Sequence, residues 1–211
     1  MRTTLYYVFD PLCGWCYGAG STVSVVATAD IDLRLLPSGL FSGAGARGMD
    51  DAFAAYAWAN DQRIERLTGQ PFSELYRTRV LADRQQKFDS GLATLALTAV
   101  ALTAPERELD VLGAIQQARY VDGRNITRRQ TLVDLLAEKG LVEAGARLHQ
   151  PDAALITAND ARMAEAQALL RAVGAHGVPT FVLERDGRRQ ALQTSAAYSD
   201  PQAFLAQFAA A

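Results

Sequence analysis

The feature that most constrains this chain is the stretch FDPLCGWCYG, residues 9–18, which holds both of its cysteines, Cys13 and Cys16. It follows directly on TTLYYVFD (3–10), an aromatic and β-branched run that reads as a first strand. Pro11 cannot donate to a strand ladder, so the strand ends there. From Pro11 to Ala29 no side chain is charged, and CGWCYGAGSTVSVVATA is rich in small residues. That composition predicts a helix packed on a sheet, beginning at the cysteines. A cysteine at a helix start meets amides without intrahelical partners, at the positive end of the helix dipole. The expectation is a Cys13 thiolate stabilised there, with no Lys or Arg nearby in sequence to assist. Cys16 lies one turn further on and can attack a disulfide formed at Cys13.

Two other readings of the pair compete with a redox dithiol. Zinc needs four ligands, and beyond the cysteines only His149 and His176 remain, 27 positions apart and without a paired spacing. No metal site is expected. Buried thiols are also ordinary core residues, so two inert cysteines at this spacing are the plainer alternative.

The rest of the chain sets that dithiol in a framework. DIDLRLLPSGL (30–40) alternates and reads as a second strand with Ile31, Leu33 and Leu35 on one side. A β-α-β unit in about 40 residues implies two parallel strands. From Gly48 to Asp160 the composition turns to Ala, Leu, Arg, Gln and Glu, and five segments show helical spacing, with a further helix over 157–174. Stops stand at Gly69, Ala104-Pro105, Gly123 and Gly140. VPTFVLERDGRRQALQT (178–194) has two strand-like runs around Asp186-Gly187, a hairpin signal. SDPQAFLAQFAAA closes as a helix capped by Ser199 or Asp200 with Pro201 in its first position. Sheet-forming pieces thus lie at both ends of the chain, around a helical insertion.

Charge and hydropathy exclude several classes. The net charge is −2, which gives no electrostatic reason to expect nucleic acid or an anionic membrane as partner. The longest apolar helical run, SGLATLALTAVALTAP (90–105), is shorter than the roughly 20 residues a membrane span needs. MRTTLYYVFD lacks the apolar core and cleavage site of a secretory signal, so the expectation is a cytoplasmic protein. Two cysteines in such a compartment are not a structural disulfide framework.

A second signal lies far from the first. GAHGVPTFVL places Val178-Pro179-Thr180 at the entry to a strand, where a proline after glycine is compatible with a cis bond. That would set the Val178 backbone beside the dithiol, able to pair with an extended substrate. An ordinary trans proline opening an edge strand is the alternative reading.

FDPLCGWCYG after a first strand, the helical insertion, and GVPTFVL before a terminal hairpin and helix together resemble the DsbA-like branch of the thioredoxin superfamily. The likeness is greatest to its cytosolic, FrnE-like subgroup, and IQQARYVDGRNIT (115–127) resembles a helix-end segment of that subgroup. The resemblance implies an α/β, thioredoxin-like fold with an inserted all-helical domain. The thioredoxin-like part would comprise 1–45 plus 160–211, and the helical insertion 46–159. Cys13 would be the attacking cysteine, Cys16 the resolving one, and Pro179 a cis-proline opposite them. The founding members are periplasmic oxidants with a signal peptide, a feature this sequence does not display. A sister branch, the kappa-class glutathione transferases and 2-hydroxychromene-2-carboxylate isomerases, carries serine where Cys13 stands and binds glutathione beside the cis-proline.

The expected activity is therefore thiol–disulfide exchange with protein disulfides or thiols, or with glutathione, at a redox-active Cys-Gly-Trp-Cys centre. The rival reading is a glutathione-dependent transferase or isomerase. A third is a scaffold or chaperone that holds clients with its helical domain. No cofactor is expected, and glutathione is the one small co-substrate left open. Trp15, Val178, Pro179 and Thr180 are the candidate substrate-binding residues. His176 and Asp10 are candidates for proton transfer, although loop solvation and loop bonding are the simpler roles. Tyr17 either stacks on substrate or covers the helix end. RTRVLADRQQK (77–87) reads as a solvated helix face, His149 as a loop residue, and Tyr56, Trp58, Phe72 and Tyr76 as packing within the insertion.

Overall fold

The computed structural model describes residues 3–210. Its centre is a mixed four-stranded sheet. Strand β1 (Thr4–Phe9) pairs in parallel with β2 (Asp32–Pro37), from Thr4 opposite Asp32 to Phe9 opposite Pro37. Between them run α1 (Gly14–Gly18) and α2 (Gly20–Val26). On its other edge β1 pairs antiparallel with β5 (Thr180–Arg185), which pairs with β6 (Arg188–Ala191), giving the order β2-β1-β5-β6. The hairpin turns at Asp186 and Gly187, both at positive φ, as a tight two-residue turn requires. Helices α10 (Ala196–Ser199) and α11 (Pro201–Ala210) finish the chain. Asp200 caps α11, its carboxylate accepting from the amides of Gln202 and Ala203.

β1 is buried on both faces, which is why LYYVF reads as continuous apolar sequence. Leu5, Tyr7 and Phe9 point into the main core, where Tyr7 stacks on Phe9 and Phe181 and Phe181 meets Phe204 of α11. Tyr6 and Val8 point the other way, to a smaller cluster with Leu36, Val182, Ala166 and Leu169. The last two belong to α9 (Ala153–Ala172), which covers that face.

The insertion is helical, as expected, but three features differ from the sequence reading. First, a two-residue ladder joins β3 (Arg47–Gly48) to β4 (Lys87–Phe88). Between its strands lie α3 (Asp51–Thr68) and α4 (Glu74–Tyr76). Second, residues 77–87 are largely solvated, as expected, but only Arg77–Leu81 are helical. α4 runs into a π-helical turn, Arg77–Leu81, that buries Val80 and Leu81. Its carbonyls are met by side chains beyond it: Gln86 donates to Val80 O, and Arg84 to Leu81 O. Third, after α5 (Gly91–Thr103), α6 (Glu108–Tyr120) and α7 (Arg129–Glu138) comes an additional helix, α8 (Val142–His149). His149 therefore ends a helix rather than sitting in a loop. The periodicity does not mark α8, because its buried side is only Ala144, Gly145 and Leu148. α9 begins at Ala153, not 157, because Asp152 caps it through the Leu155 amide. It then runs unbroken across residue 160, the expected edge of the insertion. At the centre of this block is α5, with every residue from Ala93 to Val100 buried, a helix apolar all round because other helices surround it.

Candidate active site

The strand-to-helix junction places both sulfurs where the sequence expected them. Cys13 is the N-cap of α1, with extended backbone and no side-chain cap bond. Its amide bonds Asp10 O at 3.0 Å, and its carbonyl accepts from Tyr17 N, so the loop and the helix start are one hydrogen-bonded unit. Cys13 retains 6% of its surface; Cys16 has none. Both are free thiols. Burial pushes the Cys16 thiol well up, and its hydrogen bond and electrostatic interaction with Cys13 push the same way. Tyr7, beneath the helix, donates to Cys16 O at 3.0 Å, and Tyr120 of α6 donates to Leu12 O at 2.7 Å.

Val178 and Pro179 arrive from the far end of the chain. The Val178–Pro179 peptide bond is cis. The Cys13 Sγ lies 3.6 Å from the Val178 carbonyl oxygen. Thr180 does not line the cleft onto which Cys13 opens; its hydroxyl donates to Gly177 O at 2.7 Å, holding the entry to β5. Trp15 meets Tyr198 edge-on, with the Arg63 guanidinium 5.7 Å from its ring.

Cys13, Trp15 and Val178 open onto a cleft of about 260 Å³. Its opposite wall comes from the insertion: Phe53, Tyr56, Ala57 and Asp61 of α3, Tyr76, Phe88 and Tyr120. Tyr56 is 68% exposed at its rim. A wider cavity of about 670 Å³, lined by Lys87, Arg128 and Asp160 among others, contains neither cysteine.

Of the two residues expected to transfer protons, Asp10 lies beside Cys16, its backbone hydrogen-bonded to that thiol and its charge acting on it, whereas His176 lies apart. Asp10 is fully buried, and its carboxylate accepts from Leu12 N, Phe41 N and Ser90 Oγ at 2.9, 3.1 and 2.7 Å. It ties the loop after β1, the loop after β2 and the start of α5 together. Burial raises its pKa, against these three bonds, which lower it. His176 is exposed in the loop before Gly177 and is not part of the cleft wall. Tyr17 is core: it stacks on Tyr120, meets Phe72 edge-on and bonds Pro71 O.

Asp61 was not singled out in the sequence. It is 4% exposed, accepts a 2.9 Å bond from Tyr76 Oη, and lies against Gly14. A Cβ at Gly14 would stand 2.4 Å from Asp61 Oδ1 and 3.1 Å from Ile64 Cδ1. The glycine between the cysteines is thus required by the carboxylate across from it. Burial raises the Asp61 pKa to about 7, although the Tyr76 hydroxyl and the Arg119 charge pull it down. One signal could have found it. Phe53, Ala57, Asp61 and Ile64 form a helical stripe, and a carboxylate within an apolar stripe is out of place. Among the described residues, no group of three or more His, Cys, Asp and Glu side chains is placed to hold a metal ion.

Comparison with known proteins agrees with this geometry. A family model for the DSBA-like thioredoxin domain matches residues 4–208. No curated protein matches the chain. Among solved structures, the cytosolic disulfide reductase DsbM from Pseudomonas aeruginosa is 36% identical, with a TM-score of 0.87 over 98% of this chain and 97% of that one. The structure of DsbM with GSH aligns at 33% identity and a TM-score of 0.82, covering 98% of both chains. A putative protein disulfide isomerase from Nitrosomonas europaea is 20% identical, with a TM-score of 0.80 over 100% of this chain and 98% of that one, and shares the fold. A dithiol at a strand-to-helix junction, facing the entry to β5 in this fold, together with the family match over nearly the whole chain, makes the protein a member of the DSBA-like thioredoxin domain family and a thiol–disulfide oxidoreductase.

Proposed function

We propose that the protein reduces disulfides in the cytosol through Cys13, with Cys16 as the resolving thiol and glutathione as a co-substrate. The observation that carries this reading is the Cys13 sulfur, the one thiol with surface, at the base of the aromatic cleft and 3.6 Å from the Val178 carbonyl. Likeness to a cytosolic disulfide reductase whose structure was also solved with GSH supports the direction, the compartment and the co-substrate.

The burial difference orders the two sulfurs. Cys13 attacks the substrate disulfide, forms a mixed disulfide with one half and releases the other as a thiol. Cys16 has no surface and is held protonated by burial and by its neighbour. Once Cys13 is bonded to substrate, it no longer opposes ionisation of Cys16. One of the two influences that hold Cys16 protonated is thereby removed, and Cys16 attacks the Cys13 sulfur and frees the second half. The Val178 backbone beside Cys13 is placed to align an extended substrate.

Cys13→Ser should abolish reduction of insulin disulfides; undiminished activity would end the proposal. Cys16→Ala cannot resolve a mixed disulfide, so intact mass of that variant purified from cells, before and after reductant, identifies what Cys13 attacks. Protein-sized or glutathione-sized adducts are the expected result. Glutathione-dependent turnover that survives in Cys16→Ala would instead favour the transferase or isomerase reading.

A further inference from the structure

We infer that Asp61 is the general acid of the exchange reaction, delivering a proton to the thiolate that leaves when Cys13 attacks. This rests on the thiol–disulfide reading above. Asp61 shares the cleft wall with Cys13 and Val178, on the insertion side, where the departing half of a disulfide attacked by Cys13 has room to go. Its carboxylate bears on Gly14, the residue next to Cys13. The other candidates are less suited: Asp10 lies on the Cys16 side with its carboxylate engaged by Leu12, Phe41 and Ser90, and neither it nor His176 lines the cleft.

The groups around Asp61 come from each packed element. Tyr76 of α4 donates to its Oδ2. Arg119 of α6 lies behind the floor of the cleft, with its guanidinium 5.3 Å from the Tyr76 ring, 5.4 Å from Phe88 and 5.6 Å from Tyr120. It is buried, its Nε and Nη2 have no hydrogen-bond partner, and its charge acts on Asp61. From α1, the Gly14 backbone closes the site. Burial outweighs the opposing pull of Arg119 and Tyr76 and leaves a carboxyl that holds a proton to about pH 7, as a proton donor working near neutrality needs.

The step balances as follows. The Cys13 thiolate forms a bond to one substrate sulfur, the substrate S–S bond breaks, and the electron pair leaves on the second sulfur. The Asp61 proton neutralises that sulfur as a thiol, and the carboxylate is reprotonated from solvent. Cys16 then attacks the Cys13 sulfur, and its own proton goes to the second departing half. Two electrons pass from the dithiol to the substrate.

The test compares two anionic disulfides of equal net charge, so that removing a carboxylate affects their binding alike. Glutathione disulfide departs as an alkyl thiolate, which benefits from a proton. 5,5′-Dithiobis(2-nitrobenzoate) departs as a stabilised aryl thiolate, which needs none. Asp61→Asn should lower kcat/KM for glutathione disulfide about tenfold more than for the aryl disulfide. Equal losses on both, or none, would overturn the inference and leave Asp61 a packing residue. A wild type that reacts with neither would instead bring down the exchange reading itself. If Asp61→Asn does not fold, Tyr76→Phe serves. It removes a bond that lowers the Asp61 pKa, so the descending limb of the pH profile for glutathione disulfide should move to higher pH. A limb that stays in place would overturn the inference as well.

Discussion

Gly14 and Asp61 show how far the active site depends on single atoms. The dithiol segment can approach α3 only because Gly14 has no Cβ. The carboxylate it meets is held in a setting that opposes its charge. Its pKa rises from 3.8 in an unfolded chain to about 7 in the folded one. Between those values the folded state binds more protons than the unfolded state, so stability falls as pH rises and the loss is complete above about pH 7. Asp61→Asn is free of that loss. It should gain on the wild type between pH 4 and pH 7 and keep the gain above, by on the order of a few kcal/mol. Urea unfolding of both proteins at pH 4, 6 and 8 checks this, and a constant difference would show that Asp61 ionises normally. At this scale Cys13, Cys16 and Val178 were legible because their spacing and neighbours carry a chemical pattern. Tyr76 and Tyr120 were not, because aromatic side chains at helical spacing read as core, and Asp61 was marked only as a carboxylate out of place in the apolar stripe of α3.

Among the elements, α9 carries more than its sequence suggests. Its apolar side meets β1, β2 and β5 through Ala166 and Leu169. Its polar side bonds the helical block. Arg162 pairs with Glu108 of α6 and donates to Leu35 O of β2 at 2.9 Å, and Asn159 accepts from Thr98 of α5 at 3.0 Å. Glu108 is mostly buried, and burial raises its pKa while Arg162 lowers it. Removing one partner of such a pair strands the other charge. Arg162→Met should cost about 3 kcal/mol, read as a lowered denaturation midpoint. Arg162→Met combined with Glu108→Leu should recover most of that loss; no recovery would mean that the bond to Leu35 O dominates. The strands, the hairpin and most of the helices were legible from periodicity and caps. α8 and the π-helical turn at Arg77–Leu81 were not, since the first shows few apolar side chains and the second is stabilised by Arg84 and Gln86 reaching back from outside it.

At the scale of the molecule, the cleft exists because three distant parts of the chain meet. The dithiol comes from the start, Val178 from near the end, and the aromatic wall from the insertion between them. The insertion therefore forms a wall of the cleft as well as a support. Tyr56 is exposed at the rim, and on the proposed function its ring would meet substrate. Tyr56→Ala should raise KM for a protein disulfide roughly fivefold, about 1 kcal/mol, with little change in kcat. Steady-state kinetics with insulin separates the two, and a fall in kcat with constant KM would place Tyr56 outside the binding surface. Asp10 joins the loops after β1 and β2 to the start of α5, so it keeps the two sides of this cleft in register.

The sequence by itself determined the four strands of the central sheet, most of the helices between them, and the dithiol at its strand-to-helix junction. These follow from local patterns: two-residue alternation, helical spacing, caps, turn residues and a cysteine pair one turn apart. Only the tertiary structure decided which thiol keeps surface, which carboxylate stands against Gly14, and that Asp10 organises loops while His176 lies outside. Those outcomes depend on burial and on contacts between residues far apart in sequence, such as Cys13 with Val178 and Asp61 with Tyr76. No local pattern encodes the loss of water around a group, and that loss raises the pKa of both Asp61 and Cys16.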